Sequence, residues 1–511
     1  MSPTPALPKF PQSYWIDSTD NNTDFPKLQE DVKTDVTVIG GGISGITTAY
    51  LLAQAGMSVV LLEAGNLLQG TTGHTTAKIT AQHDLIYDQL IRQEGVEKAA
   101  LYYQANAEAL QFVRQTVRQN NIECGLLDQD AYVFTNSVDY IQKLQAEASA
   151  YETLGIPSSF MDRIQLQVPS VAALKMDNQA QFHPLRYLNA LINAFQEKGG
   201  QIYEHTTAID IEEGVEPNVV TNNGFKVACK HVAICSHFPF FDGMGFYFAR
   251  MHAERSYVLG ITTADEYPGG MYISAEEPKR SIRSAKSEDG RNLLLISGQT
   301  HKTGQGVCTI NHYETLESYA KQHFQVEDIT YRWSAQDLVT GDKIPYIGNL
   351  TSSSPNIYVA TGYKKWGMTS GTAAGMMISD LIQEKQNRYV ELFSPSRSLS
   401  LNTLKTLVAD NFDVAKHLIS GKLEMVHRKP EELAPDEGGV VSVHGRRAGG
   451  YRDSEGKLYL VDTTCTHMGC EVEWNDGERT WDCPCHGSRF SFEGEVMEGP
   501  AERPLKTLST S

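Results

Sequence analysis

The chain reads as an α/β protein with a β-rich middle and a small cysteine- and histidine-bearing domain at its far end. Three observations predict this. Near the front, the β-branched run Asp35-Val-Thr-Val-Ile39 leads into Gly40-Gly-Gly42-Ile43-Ser44-Gly45, then a helix-patterned stretch from Ile46 to Ala55. Through the middle, two helical patterns give way to apolar runs with strand character. Near the end stand Cys465-Thr-His467-Met-Gly-Cys470 and Cys483-Pro-Cys485-His486-Gly-Ser488.

The front element comes first in the chain. After a turn at Gly56, a second apolar strand, Val59-Val-Leu-Leu62, ends in Glu63. This is a Rossmann-like strand–glycine turn–helix–strand–acid unit. Its glycines let the backbone approach a pyrophosphate, the helix N-terminus faces the negative charge, and the acid accepts a ribose hydroxyl. The unit predicts a dinucleotide but does not choose between nicotinamide and flavin.

Three further segments make that choice by resemblance. They are Leu67-Leu-Gln-Gly70-Thr-Thr72-Gly-His74-Thr-Thr76-Ala77, the stretch from His183 to Ala208, and Ile357-Tyr-Val-Ala-Thr-Gly362-Tyr-Lys-Lys365-Trp366-Gly367-Met368-Thr369-Ser-Gly371. Together with the first unit they resemble the glycine, sarcosine and D-amino-acid oxidase (DAO) superfamily of FAD-dependent oxidoreductases. The resemblance implies FAD contacts at Gly40, Gly42, Ile43, Ser44, Gly45, Glu63, Ala64, Thr72, Thr76 and Ala208. It implies more at Gly362, Trp366, Gly367, Met368 and Thr369, where a helix N-terminus stabilises the charge of a reduced flavin. It also implies an α+β substrate domain interleaved with the FAD domain. The run around His74 is similar to the loop in dimethylglycine and sarcosine dehydrogenases whose histidine bonds to the flavin. Gly73 replaces the aromatic residue found there, and a histidine that only hydrogen-bonds near the cofactor is the alternative.

In the middle, helical periodicity covers 96–119 and 138–151, with a strand at 131–135 between them. Strands are expected over 226–235, 257–262 and 293–297. No second strand–glycine turn–helix unit is expected, since Gly243-Met-Gly245 and Gly304-Gln-Gly306 do not follow a strand and open a helix. An organic reductant bound over the flavin therefore fits better than a second dinucleotide. His183, His252, Arg255, Tyr257 and Lys365 are candidates to face it. Arg255 suits a carboxylate through its bidentate fork, and Tyr257 or His252 suits an amine proton. His74, Arg255, Tyr257 and Lys365 make up the candidate catalytic set. For each, an ordinary place in the core or at the surface is the alternative.

Two Cys-His pairs on tight loops suit a two-iron, two-sulfide centre, with thiolates on one iron and imidazoles on the other. A structural zinc site is the competing reading. The Cys-His-Gly-Ser context resembles the Rieske family, a small all-β domain. The resemblance implies a 2Fe-2S cluster on Cys465, His467, Cys483 and His486, with a Cys470–Cys485 disulfide clamping its loops. It also implies a hydroxyl hydrogen bond from Ser488 to a bridging sulfide. Phe490 stands where the highest-potential members place a tyrosine, so a lower potential is expected. Gly499-Pro500-Ala501 looks like the loop that covers the cluster.

The 511 residues are enough for two or three domains. The flavoprotein part is expected over 33–385 (FAD-binding parts about 33–85, 180–240 and 335–385), a helical linker over 386–424 and the Rieske part over 425–511. The net charge of -18 argues against nucleic acid or an anionic membrane as partner. No apolar run is long enough to span a bilayer, and Met1 to Phe10 has no signal-peptide pattern, so a cytoplasmic location is expected. Cys124, Cys229, Cys235 and Cys308 are expected to be reduced core residues.

The functional expectation is a flavin dehydrogenase that oxidises an amine or amino-acid-like small molecule. It would pass electrons singly through the cluster to an external acceptor. The alternatives are reversed flow, from an external donor through the cluster to a flavin that reduces a substrate, and a redox sensor or electron-transfer adaptor without turnover.

Overall fold

The computed structural model describes residues 6–19, 24–286, 290–306, 308–398, 401–423 and 426–509. The expected domain boundary near residue 425, and the start of the chain at Met1–Pro5, lie outside the described residues.

The run Val36–Ile39 is buried throughout and forms an inner strand of a six-stranded sheet. Its order is Tyr346–Asn349, Ile357–Thr361, His231–Ile234, Val36–Ile39, Val59–Leu62, Gln201–Tyr203. All neighbours are parallel except the first pair. Parallel strands buried on both faces read as continuous apolar runs, which is how the sequence writes them.

Helix Ile43–Gln54 crosses from the first strand to the second and stops at Gly56, whose φ of +84° suits a left-handed turn. Helix Gly367–Ile382 packs against it through Gly371 and Gly375, which share one face. A Cβ at Gly371 would lie 2.8 Å from Ile43 and Ser44, and one at Gly375 would lie 2.7 Å from Thr47. Glycine at both positions lets the two helix backbones approach closely.

The chain leaves this sheet twice. Residues 78–181 and 251–340 supply a second, mixed sheet whose long strands include Leu127–Thr135, Ala172–Gln181, Met251–Thr263, Asn292–Lys302 and Val326–Thr340. This is the interleaving that the resemblance implied. The predicted strand over 226–235 divides in two. Lys226–Ala228 joins a small four-stranded sheet and His231–Ile234 the six-stranded one, because Lys230 and His231 turn their N–H groups to the Asp35 carbonyl.

Helix Leu401–Leu423 precedes the C-terminal domain, and its Val414 and Leu418 pack on that domain's core. The domain itself is two antiparallel sheets of three and four strands. Trp474 and Trp481 lie across the first sheet at Gly438 and Gly449, where a Cβ would come within 2.2 and 2.6 Å of the indoles. Glycine inside a strand here makes room for a ring.

Candidate functional site

The glycine turn is built for a close backbone approach. Gly40 has φ +106°, and a Cβ there would sit 2.5 Å from the Cys235 carbonyl oxygen. A Cβ at Gly45 would be 1.9 Å from the Gly40 carbonyl oxygen. Glu63 closes the turn, its carboxylate accepting from Gly41 N–H at 2.7 Å and Gly65 N–H at 2.9 Å. Burial raises its pKa, and these N–H groups oppose that rise. Ala64 lies in the same turn, and Gly42 precedes the first helix residue.

Two helix N-termini meet beside this turn. Neither Gly42 nor Trp366 offers a side-chain cap to its helix. Ser44 and Tyr363 hydroxyls join the two ends at 2.7 Å, and Ile43 N–H donates to Thr72 Oγ1 at 3.1 Å. Thr369 Oγ1 donates to the Thr80 carbonyl, while Trp366 stacks on His83 with ring centroids 4.8 Å apart. Gly362, at φ +81°, turns the chain between strand and helix. Gly367 and Met368 open the helix. Thr76 gives its carbonyl to Arg283, and Ala208 begins a strand of the small sheet. Uncapped N–H groups on two converging helices, next to glycines that leave the backbone bare, fit FAD. One end suits its pyrophosphate and the other its flavin.

His74 ends a short 3-10 turn, Thr71–His74, with Nδ1 3.0 Å from the Gly70 carbonyl oxygen. A Cβ at Gly73 would lie 2.3 Å from the Leu68 carbonyl oxygen, so this backbone has no room for an aromatic residue there. Lys364 and Lys365 both take positive φ, 45° and 71°, on the way into the second helix. Strain of this kind in consecutive non-glycine residues is concentrated at functional sites. Lys365 Nζ lies 3.5 Å from Glu254 and bonds Thr300, and His252 reaches the same carboxylate at 3.4 Å. Burial opposes ionisation of Glu254, yet His252 and Lys365 hold its pKa down at about 2. Asp337, beside Glu254 on the next strand, is pushed up to about 6 by burial despite Lys365.

Three candidates stand elsewhere than expected. Arg255 and Tyr257 point to the opposite side of their strand from Glu254, since alternate residues face opposite ways. Arg255 faces the C-terminal domain, and Tyr257 bonds His301 Nε2 at 2.9 Å while stacking on His312. Both side chains are committed to contacts within the fold. His183 caps helix Pro184–Glu197 and bonds Ser18. Cys308, expected in the core, is exposed and donates to the Asp476 carboxylate.

In the C-terminal domain Cys470 and Cys485 are disulfide-bonded, joining the two loops. Cys465 and Cys483 remain as buried free thiols. Their mutual hydrogen bond draws Cys465 down to about 7 and drives Cys483 up. His467 and His486 rings lie 5.0 Å apart, and the Nδ1 atom of each is buried without a partner. Burial lowers both imidazole pKa values, His486 to about 4, so both are neutral and able to ligate. Two thiols in mutual contact and two adjacent imidazoles with unpartnered Nδ1 atoms, carried on the same pair of loops, fit a 2Fe-2S cluster better than a centre of thiolates alone. The sulfurs of Cys470, Cys483 and Cys485 also gather within 4.8 Å, but the disulfide removes two of them as ligands. Ser488 Oγ accepts from Ala501 N–H at 3.0 Å and donates towards Cys465, which ties the covering loop to the cluster loops. Phe490 is fully buried in the same core.

The ligand loops press against the flavoprotein part. Phe248 lies 5.8 Å from the His486 ring and 6.3 Å from His467, and Phe238 lies 6.5 Å from His467. A Cβ at Gly304 would be 2.6 Å from Pro484 N. Phe238 is three residues past Cys235, which packs on the dinucleotide turn, so one short connection touches both cofactor regions. Sequence reading passed over these aromatics. The signal was the density of rings from Phe238 to Phe248, six in eleven residues.

Comparison with known proteins gives two family matches. Residues 35–381 match the FAD dependent oxidoreductase (DAO) family and residues 424–509 match the Rieske [2Fe-2S] domain. The protein YhfW of Bacillus subtilis (strain 168), named for a Rieske 2Fe-2S iron-sulfur centre, is 52% identical over 498 residues, covering 98% of this chain and 97% of its own. The gamma-glutamylputrescine oxidoreductase of Escherichia coli (strain K12) is 25% identical over 399 residues, 74% of this chain and 90% of that one. Glycine oxidase from Geobacillus kaustophilus superposes with a TM-score of 0.62 at 18% identity, over 72% of this chain and all (100%) of its own. Among the described residues no helix is long and apolar enough to cross a membrane.

Proposed function

This chain belongs to the FAD-dependent oxidoreductase family and carries a Rieske [2Fe-2S] domain, and from that premise we propose that it is an amine or amino-acid dehydrogenase wired to its own cluster. In this reading the substrate recess lies beside Lys365, Glu254 and Asp337. FAD bound here would supply a two-electron hydride acceptor, and a 2Fe-2S cluster would supply a one-electron relay towards an external acceptor. Cys465 and Cys483 would hold one iron, and His467 and His486 the other.

This chain's own residues set up the recess. Glu254 keeps Lys365 in place, and together they supply fixed opposite charges beside a zwitterionic substrate. The bare N-terminus of helix Gly367–Ile382 stabilises negative charge developing nearby. The gamma-glutamylputrescine oxidoreductase relative supports an amine substrate. The observation that carries the reading is the contact of both expected histidine ligands with aromatic rings of the flavoprotein part. A cluster serving only an outside partner has no need of that contact.

Anaerobic mixing of holoprotein with a panel of amines and amino acids tests it. Flavin bleaching followed by the signal of a reduced cluster is expected. Bleaching by dithionite or a reduced ferredoxin alone would instead favour flow in the opposite direction. For His74, yellow colour in the pellet after acid precipitation marks a covalent flavin, and colour confined to the supernatant excludes it.

A further inference from the structure

Gln336 and Arg255 are register partners on neighbouring strands, Val326–Thr340 and Met251–Thr263. They are 1% and 0% exposed. Three contacts diverge from Gln336. Its main-chain carbonyl accepts from Thr71 Oγ1 at 3.1 Å, in the turn that carries His74. Its side-chain amide donates to the Gly487 carbonyl at 2.9 Å, next to His486, and its Oε1 accepts from Arg255 at 3.4 Å. Gly487 has no slack, since a Cβ there would sit 2.4 Å from Ala253 Cβ.

Arg255 continues the connection into the C-terminal domain. Its guanidinium lies 3.4 Å from Glu498 and 3.7 Å from Asp482. Arg489 meets the same two carboxylates at 3.2 and 3.3 Å. Glu478 lies 3.9 Å from Arg489 as well, so two cations and three carboxylates share one site, and one of the cations comes from the flavoprotein part. Removing one partner from such a group leaves a buried charge uncompensated.

We propose that Gln336 and Arg255 are positioning residues that clamp the cluster loop Cys483–Ser488 onto the flavin loop Thr71–His74. The cluster then works docked on its own chain, with no swing of its domain between donor and acceptor. The inference deepens the function proposed above and rests on it. Precise placement matters because a displacement of about 1 Å costs large factors in rate when two reacting centres must be held together. Phe238 and Phe248 pack beside the two histidines on the ligand side.

Two variants of the full holoprotein test the clamp. Gln336→Met keeps the length but cannot donate to Gly487, and Arg255→Lys keeps the charge but loses the fork. The first readout is amide hydrogen exchange. Peptides covering 483–488 are expected to exchange about tenfold faster in Gln336→Met, the effect of losing one buried hydrogen bond, while 71–74, held by the Gln336 main chain, changes less. The second readout is flash reduction by deazaflavin radical, followed by relaxation between flavin and cluster. That relaxation is expected to slow at least about tenfold in both variants. Flavin, iron and the cluster's EPR g-values should match the unaltered protein. Unchanged exchange and unchanged relaxation would overturn the clamp. If the unaltered protein shows no relaxation between the two centres, the proposed function fails instead, and the exchange arm still judges the clamp. Should Gln336→Met not accumulate, Arg255→Lys decides by the same two readouts.

Discussion

The residues expected around the cluster run from Cys465 to His486 on two adjoining loops, whereas those expected around FAD are drawn from Gly40 to Thr369. At the C-terminal end each ligand is a special side chain, and its neighbours in sequence build the loop that aims it. At the other end most of the work falls to backbone, to glycines and helix ends that any strand–turn–helix unit can supply. One region is chemistry written locally. The other is geometry assembled from afar, and so it depends on packing such as Gly371 against Ser44.

The largest effect should separate the two regions outright. His486→Ala is expected to remove iron and acid-labile sulfide more than about tenfold while flavin content stays at the unaltered level. Metal assay alongside flavin absorbance checks it, and parallel loss of flavin would show that the two ends are not independent. Next, Gly40→Ala should weaken FAD binding by roughly 100-fold, because a side chain there meets the Cys235 carbonyl and the strained φ costs about 1–3 kcal/mol on its own. Iron content should not change.

Asp337 lies at the seam between the regions and gives a pH-dependent effect. Burial is the main cause of its rise from 3.8 to about 6. A raised carboxyl contributes stability that is complete below pH 3.8 and is lost as pH climbs through 6. Asp337→Asn should therefore stabilise the protein at pH 8 by about 3 kcal/mol, and the gain should fade towards zero below pH 4. Denaturant unfolding at several pH values measures it; a gain that grows in acid would refute the assignment. The smallest effect is at Ser488. Ser488→Ala leaves Ala501 N–H without its acceptor, costing about 1 kcal/mol of cluster-domain stability. Its potential, read by EPR-monitored titration, should fall, since hydrogen bonds around the sulfurs favour the reduced state.

Legibility in the sequence follows the same division. The Rieske domain was legible because its Cys-His pairs come in a Cys-His-Gly-Ser context that a zinc site does not need. The dinucleotide turn was readable because Gly40-Gly-Gly42 comes with its strand, helix and acid in order. What the sequence does not carry is the direction of side chains on a long strand. Arg255 and Tyr257 look like substrate ligands by residue type, but a strand turns successive residues to opposite faces. Which face meets the recess depends on a domain that begins far downstream. Cys308 was misjudged for the same reason, since its exposed place is set by Asp476 across the domain seam. The aromatic run Phe238–Phe248 had no meaning until the histidines it touches were in place.

The closeness of Cys483 to both halves of the disulfide has a bearing on how the protein is made. Before metal arrives, the Cys483 thiol can exchange with either Cys470 or Cys485, and each wrong pairing removes a ligand. Iron loading therefore guards the correct bridge as much as the bridge guards the iron. Maturation must deliver sulfide and metal ahead of, or together with, oxidation of the neighbouring pair. Peptide mapping of protein produced under iron starvation should then find scrambled crosslinks at these three positions.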